Sequence, residues 1–157
     1  MRQMITTIDT KASVGDVWML LSNFAVYREW HPLVAMHGDA EFNATLAIEP
    51  TALRPGPDQP MLPARVIWYL PAQLIGWRLG IRRFLWIDET YQIIALVDGA
   101  QVLHEVRLSG WLAHSAQLMI RRRVMRYLER TDRALQDRLQ KGKALARPAL
   151  PSHGGSG

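Results

Sequence analysis

One segment near the C-terminus constrains the fold more than any other. Residues 114–140 read HSAQLMIRRRVMRYLERTDRALQDRLQ, without a Pro or Gly, and most are good helix formers. At about 100° per residue, Val124, Leu128, Thr131, Leu135 and Leu139 share one face, and Arg122, Arg126, Arg130, Arg133 and Asp137 share the opposite one. A helix of this kind cannot bury its apolar stripe alone and needs an apolar partner surface. The rest of the chain reads mainly as strands, so the expected partner is a curved sheet.

Met4 to Thr10 alternates roughly as a first strand. Ser13, with Asp16 three residues later, resembles a capping box and predicts a short helix over 14–22, with Val17, Leu20 and Leu21 buried. A second short helix is expected over 24–30, closed by His31-Pro32, because a residue before Pro avoids helical geometry. Strands follow at 33–42, 44–49, 64–70, 73–81, 85–96 and 100–112. Val66, Trp68 and Leu70 are expected on one face, as are Ile75, Trp77 and Leu79. Five Pro within residues 50–63 predict a protruding loop. Asp98-Gly99 is a strong hairpin signal. Strands followed by one long helix give an α+β class. The expected organisation is one domain over 1–141 and a flexible tail over 142–157.

Composition narrows the function classes. No Cys is present, which excludes disulfides and thiolate metal sites and suits a reducing compartment. The N-terminus carries no apolar run of signal-peptide type, and no stretch reaches transmembrane length, so the default location is cytoplasmic. The five His (31, 37, 104, 114 and 153) show no metal-ligand spacing, and no Gly-rich nucleotide loop or nucleophile elbow occurs. No metal or cofactor is therefore expected. Residues 1–120 hold 9 basic and 11 acidic side chains, and residues 121–157 hold 10 and 3, which leaves +5 overall with the excess at the C-terminal end. That excess is either a solvated helix face or a contact for an anionic membrane or acidic protein through Arg122, Arg126, Arg130 and Arg133. No nucleic-acid-binding motif appears.

Several short motifs, in order, resemble the helix-grip superfamily called SRPBCC, which includes START lipid-transfer domains and polyketide cyclases. Val17-Trp18-Met19-Leu20-Leu21-Ser22-Asn23-Phe24, with Tyr27, Trp30, His31 and Pro32, resembles the family's VW-x-LL-x-D-F-x-x-Y-x-x-W-N-P segment. Pro71, Ile75 and Trp77 resemble its P-x-x-x-L-x-W strand. Tyr91, Asp98-Gly99 and His104-Glu105-x-Arg107-Leu108-Ser109-Gly110 resemble its final hairpin. The resemblance spans about Met4 to Gln140. It implies a seven-stranded antiparallel sheet gripping the C-terminal helix, with a cavity between them. The chain departs from the pattern in three places: Asn23 where Asp is frequent, Leu108 where Phe is common, and the longer loop over 50–63.

Within that frame, Glu89, Tyr91 and His104 are expected to line one wall if their strands pair in register. A His beside a Glu can act as general acid and base on an enolisable ketone, or can simply orient a ligand inside an apolar pocket. His31, before a Pro, is expected to serve a turn. Six Trp divide between core and cavity. Trp30, Trp68 and Trp77 are the expected ligand contacts, with His31, Tyr91, Val106 and Leu108. Val124, Leu128, Thr131 and Leu135 form the helix wall, and Met119 and Met125 are flexible fillers. The expected function is binding of a small hydrophobic or aromatic ligand: lipid, polyketide-like or isoprenoid. The alternatives are a cyclase or dehydratase using His104 and Glu89, and an interaction module docking through its Arg face.

Overall fold

The computed structural model describes residues 2–51, 60–81 and 84–145. Seven strands form one antiparallel sheet: β1 (Arg2–Thr10), β2 (Val34–His37), β3 (Thr45–Pro50), β4 (Leu62–Leu70), β5 (Leu74–Ile81), β6 (Leu85–Leu96) and β7 (Gly99–Ser109). Their spatial order is β1-β7-β6-β5-β4-β3-β2, so the chain enters beside its last strand and then meanders back across the sheet. Two short helices, α1 (Val14–Ser22) and α2 (Tyr27–Trp30), separate β1 from β2, with a 3-10 turn over Phe24–Val26 between them. The long α3 (Ala113–Leu145) closes the chain. This is the helix-grip arrangement.

Local chemistry explains the element ends. The capping box forms: Ser13 Oγ accepts from the Asp16 backbone N–H at 3.1 Å, and Asp16 accepts from the Ser13 N–H at 3.4 Å. Leu20 is half-buried, whereas Val17 and Leu21 are buried. The hairpin after β6 turns at Val97-Asp98, and Gly99 closes it with φ +147°, where a Cβ would collide with the Thr10 carbonyl. The strand expected over 33–42 is confined to Val34–His37. Residues 52–59 of the expected loop lie outside the described residues. α3 continues through Gly142 to Leu145; residues 146–157 of the expected tail also lie outside the description.

One expectation about strand faces fails. The register shifts between Val66 and Trp68, so Trp68 pairs with Gly76 and Tyr69 with Ile75. This β-bulge breaks the two-residue alternation. Val66 points inward, but Trp68 and Leu70 face out at 49% and 50% exposure, and Tyr69 takes the inner side against Trp18.

The core divides in two. The larger cluster joins α1, α2 and the second half of α3 (Leu135, Leu139) to Val66, Ile75, Trp77, Tyr91 and Val102. The smaller joins the first half of α3 (Ala113, Leu128) to Met4, Val106 and Leu108, with Leu85, Ile87, Ile120, Val124 and Met125 only partly buried against it. Met119, an expected filler, is 81% exposed. It precedes Leu128 by nine residues, which at about 100° per residue places it on the opposite side of α3.

Leu135 has no exposed surface and anchors α3 to the larger cluster. Leu135→Ala should lower the unfolding free energy by about 3 kcal/mol. Urea denaturation measures this, and a loss under about 1 kcal/mol would mean that α3 is not seated as described.

Candidate functional site

A polar seam separates the two apolar clusters. On β6 and β7 the register sets Tyr91 opposite His104 and Glu89 opposite Val106, all on the inner face. Opposite them, Thr131 and Asp132 sit on α3 between Leu128 and Leu135. His104 is fully buried and spans the gap: Nδ1 meets Asp132 Oδ1 at 2.7 Å, and Nε2 meets Glu89 Oε1 at 2.9 Å. Tyr91 stacks on the imidazole at 4.1 Å and donates its hydroxyl to Glu89 Oε1 at 3.1 Å. Tyr127, on the flank of α3, donates to the same oxygen at 2.8 Å. Glu89 Oε1 thus accepts from three donors.

The protonation states follow from these contacts. Burial alone pushes the His104 pKa down, but the hydrogen bonds and charges of Asp132 and Glu89 outweigh it, and the net direction is up. A carboxyl oxygen at each ring nitrogen favours the imidazolium, in which both nitrogens donate. Burial pushes Glu89 up, yet the hydrogen bond and charge of His104, with the hydrogen bond of Tyr127, bring it below the ordinary carboxylate value. Burial, and then the Glu89 charge, raise the phenols of Tyr27, Tyr91 and Tyr127 well above their usual range, so all three stay neutral donors.

His31 is the opposite case. Burial dominates and lowers it to about 4. Its Nδ1 accepts from the backbone N–H groups of Leu33 and Val34, each at 3.2 Å, so protonating that nitrogen would sacrifice two hydrogen bonds. The ring is a neutral Nε2–H tautomer. The Nε2–H lies 3.4 Å from both Tyr127 Oη and Thr131 Oγ1. His31 thus combines the expected turn role with a place at the edge of the seam.

The remaining sequence candidates divide. Trp30, Trp77, Tyr91, Val106, Leu108, Leu128, Thr131 and Leu135 are all buried, and Val124 is half-buried. Trp68 lies on the outer face, for the reason given above. The expected hollow is not open at these positions. Trp77, Tyr91, Val106, Leu108, Leu128, Thr131 and Leu135 are at most 3% exposed, so neighbouring protein atoms occupy the space beside them. Grooves are found elsewhere. One of about 210 Å³ crosses the outer sheet face at Trp68, Leu74 and Leu103. Another of about 420 Å³ lies between α1 and α3 at Met19, Leu20 and Leu139. Two buried donors stand out in the interior: the indole N–H groups of Trp30 and Trp77 make no hydrogen bond among the described residues.

Sequence reasoning missed Asp132 and Tyr127. The available signal for Asp132 was its helical angle: at about 100° per residue it falls beside Leu128 on the apolar stripe rather than among the arginines. Tyr127 borders that stripe and carried no comparable mark. Among the described residues, no group of three or more His, Asp or Glu side chains is arranged to hold a metal ion.

No family model matches the chain, and no curated protein matches it. Solved structures match along nearly its whole length. The Zhui aromatase/cyclase from Streptomyces sp. R1128 aligns with a TM-score of 0.70 at 14% identity, covering 99% of each chain. A START superfamily protein from Mycobacterium smegmatis gives 0.62 at 16% identity, over 88% of this chain and 97% of that one. The di-domain aromatase/cyclase StfQ of the steffimycin pathway gives 0.70 at 11% identity, over 90% of this chain and 51% of that one. At such identities the likeness establishes the fold, the START-like helix grip.

The seam makes stability depend on pH in two directions. The fold favours protonated His104, so its contribution is complete below the ordinary value of 6.5 and is lost as pH rises through the raised folded value. Glu89 contributes above its ordinary 4.5 and loses that contribution as pH falls through the lowered folded value. Denaturant titrations across pH should therefore show a maximum, and His104→Gln should flatten its alkaline limb. A wild-type curve already flat above neutrality would contradict an imidazolium at His104.

Proposed function

We propose that the protein binds a small, mostly apolar molecule carrying a hydrogen-bond acceptor, taken up between α3 and the sheet. The observation that carries this reading is the pair of unpartnered indole N–H groups, Trp30 and Trp77, in the interior. Each unmade hydrogen bond costs roughly 1–3 kcal/mol, which a ligand carbonyl or ether oxygen would recover. Tyr27 packs against both rings, with centroids at 4.9 Å and 6.2 Å, and Tyr91 links Trp77 to His104, so an aromatic wall leads to the polar seam. Apolar walls with a few convergent polar groups are how small-molecule sites obtain both affinity and orientation. START and aromatase/cyclase structures share the fold, and the ligand class we propose is lipid, isoprenoid or polyketide-like aromatic.

Because the lining is packed, uptake requires part of it to move. The first half of α3 is the candidate, since the smaller cluster holds it and several of its apolar contacts are only partly buried. Burying a ligand's apolar surface contributes about 25 cal/mol per Å² before the cost of that movement.

A second reading is favoured by the hydrogen-bond chain Tyr127–Glu89–His104–Asp132, which runs from a half-buried phenol through a buried imidazole to a buried carboxyl. Here the protein is a cyclase or dehydratase. The Glu89 carboxylate removes a proton α to a ketone, while the His104 imidazolium delivers one to the developing enol oxygen.

Native mass spectrometry after gentle purification, with thermal shifts against a fatty acid, an isoprenoid alcohol and a polycyclic aromatic ketone, tests binding. We expect a co-purified mass or a rise in Tm of several degrees with one class, since occupancy at a hundredfold excess over Kd adds about 2.7 kcal/mol. No bound mass and no shift with all three would contradict the proposal. Under the enzymatic reading, Tyr127→Phe lowers turnover about a hundredfold while affinity stays within a few fold. Parallel loss of both would remove that reading and leave the binder.

A further inference from the structure

The outer side of α3 and the end of the sheet beside its start present a surface that neither reading above uses. Trp111 and Leu112, between β7 and α3, are 79% and 42% exposed. Phe84, in the turn before β6, is 47% exposed and meets the Trp111 ring at 6.5 Å, and its carbonyl accepts the Leu112 N–H at 2.8 Å. Ile81, joined to Phe84 by a backbone hydrogen bond of 3.0 Å, is 69% exposed. Leu118 and Met119, on the second turn of α3, are 76% and 81% exposed. Contacts thus join Ile81, Phe84, Trp111 and Leu112 at the start of α3, and Leu118 and Met119 follow within about 10 Å of that start along the helix axis. A soluble surface rarely leaves so many large apolar groups together without a partner.

Charge identifies the partner. At about 100° per residue, Leu118, Arg122, Arg126 and Met119 lie within one arc of roughly 100° on the exposed side of α3. Arg121 and Arg123 are exposed as well. No acidic residue occurs between Glu105 and Glu129 in the sequence. Among the described residues, none of these four arginines forms an ion pair, whereas Arg28, Arg78, Arg107 and Arg138 all do. Further along α3, Arg130 and Arg133 are interspersed with the exposed Glu129 and Asp137, so the unopposed positive field belongs to the first half of the helix. Aliphatic and aromatic tips rimmed by arginine fit an interface whose interior is hydrocarbon and whose surface is anionic. A nucleic acid would meet the arginines but would have no use for Leu118, Met119 and Ile81. Among the described residues, no helix is long and apolar enough to cross a bilayer, so the contact is peripheral.

We infer that the protein docks on anionic lipid membranes through this tip: Phe84, Trp111, Leu118 and Met119 enter the interfacial layer, and Arg122 and Arg126 meet lipid phosphates. Through Ala113 the tip adjoins the smaller apolar cluster, several of whose members on α3 are only partly buried. Docking there would present that region to the lipid, but the docking inference does not depend on the ligand proposal.

Vesicle co-sedimentation of the full chain tests it, comparing phosphatidylcholine alone with phosphatidylcholine containing phosphatidylglycerol. We expect binding only with the anionic lipid, weakened by added salt. The pair Arg122→Gln/Arg126→Gln should lower partitioning about thirtyfold, at the usual contribution of each basic side chain near such a surface. The pair Trp111→Ser/Leu118→Gln should also lower it at least tenfold, and the blue shift in fluorescence on vesicle addition should shrink when Trp111 is removed. All four positions are exposed, and unchanged thermal unfolding will confirm that the variants fold. No sedimentation with anionic vesicles would overturn the inference. So would binding indifferent to Trp111→Ser/Leu118→Gln, or equal affinity for single-stranded RNA, since either would reduce the surface to a generic polyanion site.

Discussion

The imidazolium of His104 held between Asp132 and Glu89 is the contact on which the interior depends. It is a direct polar link between the sheet and α3, and it lies where the two apolar clusters meet. Removing one partner of a buried charged group strands the others, at a cost of about 3–5 kcal/mol, whereas keeping all of them contributes far less net stability. The seam is therefore better understood as a device that sets the position of α3 on the sheet than as a source of stability. An apolar helix face can slide or rotate over an apolar sheet with little change in buried area. A histidine that must reach a carboxyl on each side cannot.

The surrounding structure serves this contact. The Val97-Asp98 turn, closed by Gly99, fixes the β6–β7 register, and that register places Glu89, Tyr91 and His104 together. The larger cluster anchors the second half of α3, which carries Thr131 and Asp132. His31, kept neutral by burial and with its Nδ1 accepting from two backbone donors, adds a hydrogen-bonding edge without another positive charge beside His104. The unpartnered tryptophan N–H groups then stand out, because the other buried side-chain polar atoms among the described residues are paired.

Much of this was legible in the amino-acid sequence, and the exceptions share a cause. Signals confined to a few neighbouring residues read correctly: Ser13 with Asp16 for the start of α1, Asp98-Gly99 for the last hairpin, and the heptad-like spacing of Leu128, Leu135 and Leu139 for the buried face of α3. The partnership of Glu89, Tyr91 and His104 was also within reach, because a tight hairpin without a bulge carries alternation from one strand to the next. Trp68 was misplaced because a bulge inserts a residue without marking the sequence. Asp132 went unnoticed because an acid in an Arg-rich helix resembles a solvated residue until topology brings β7 beneath it. A cavity was expected from the family likeness, but whether large side chains fill such a space is decided by three-dimensional packing, which the order of motifs does not encode.

The protonation of His104 tests this account most directly. Nitrogen-15 NMR of the histidine rings at neutral pH reports each nitrogen separately. The account predicts that both His104 nitrogens carry protons and stay protonated above the ordinary histidine range, while His31 shows a single proton on Nε2. A neutral His104 ring with one bare nitrogen at neutral pH would contradict the charged seam and, with it, the positioning of α3 built upon it.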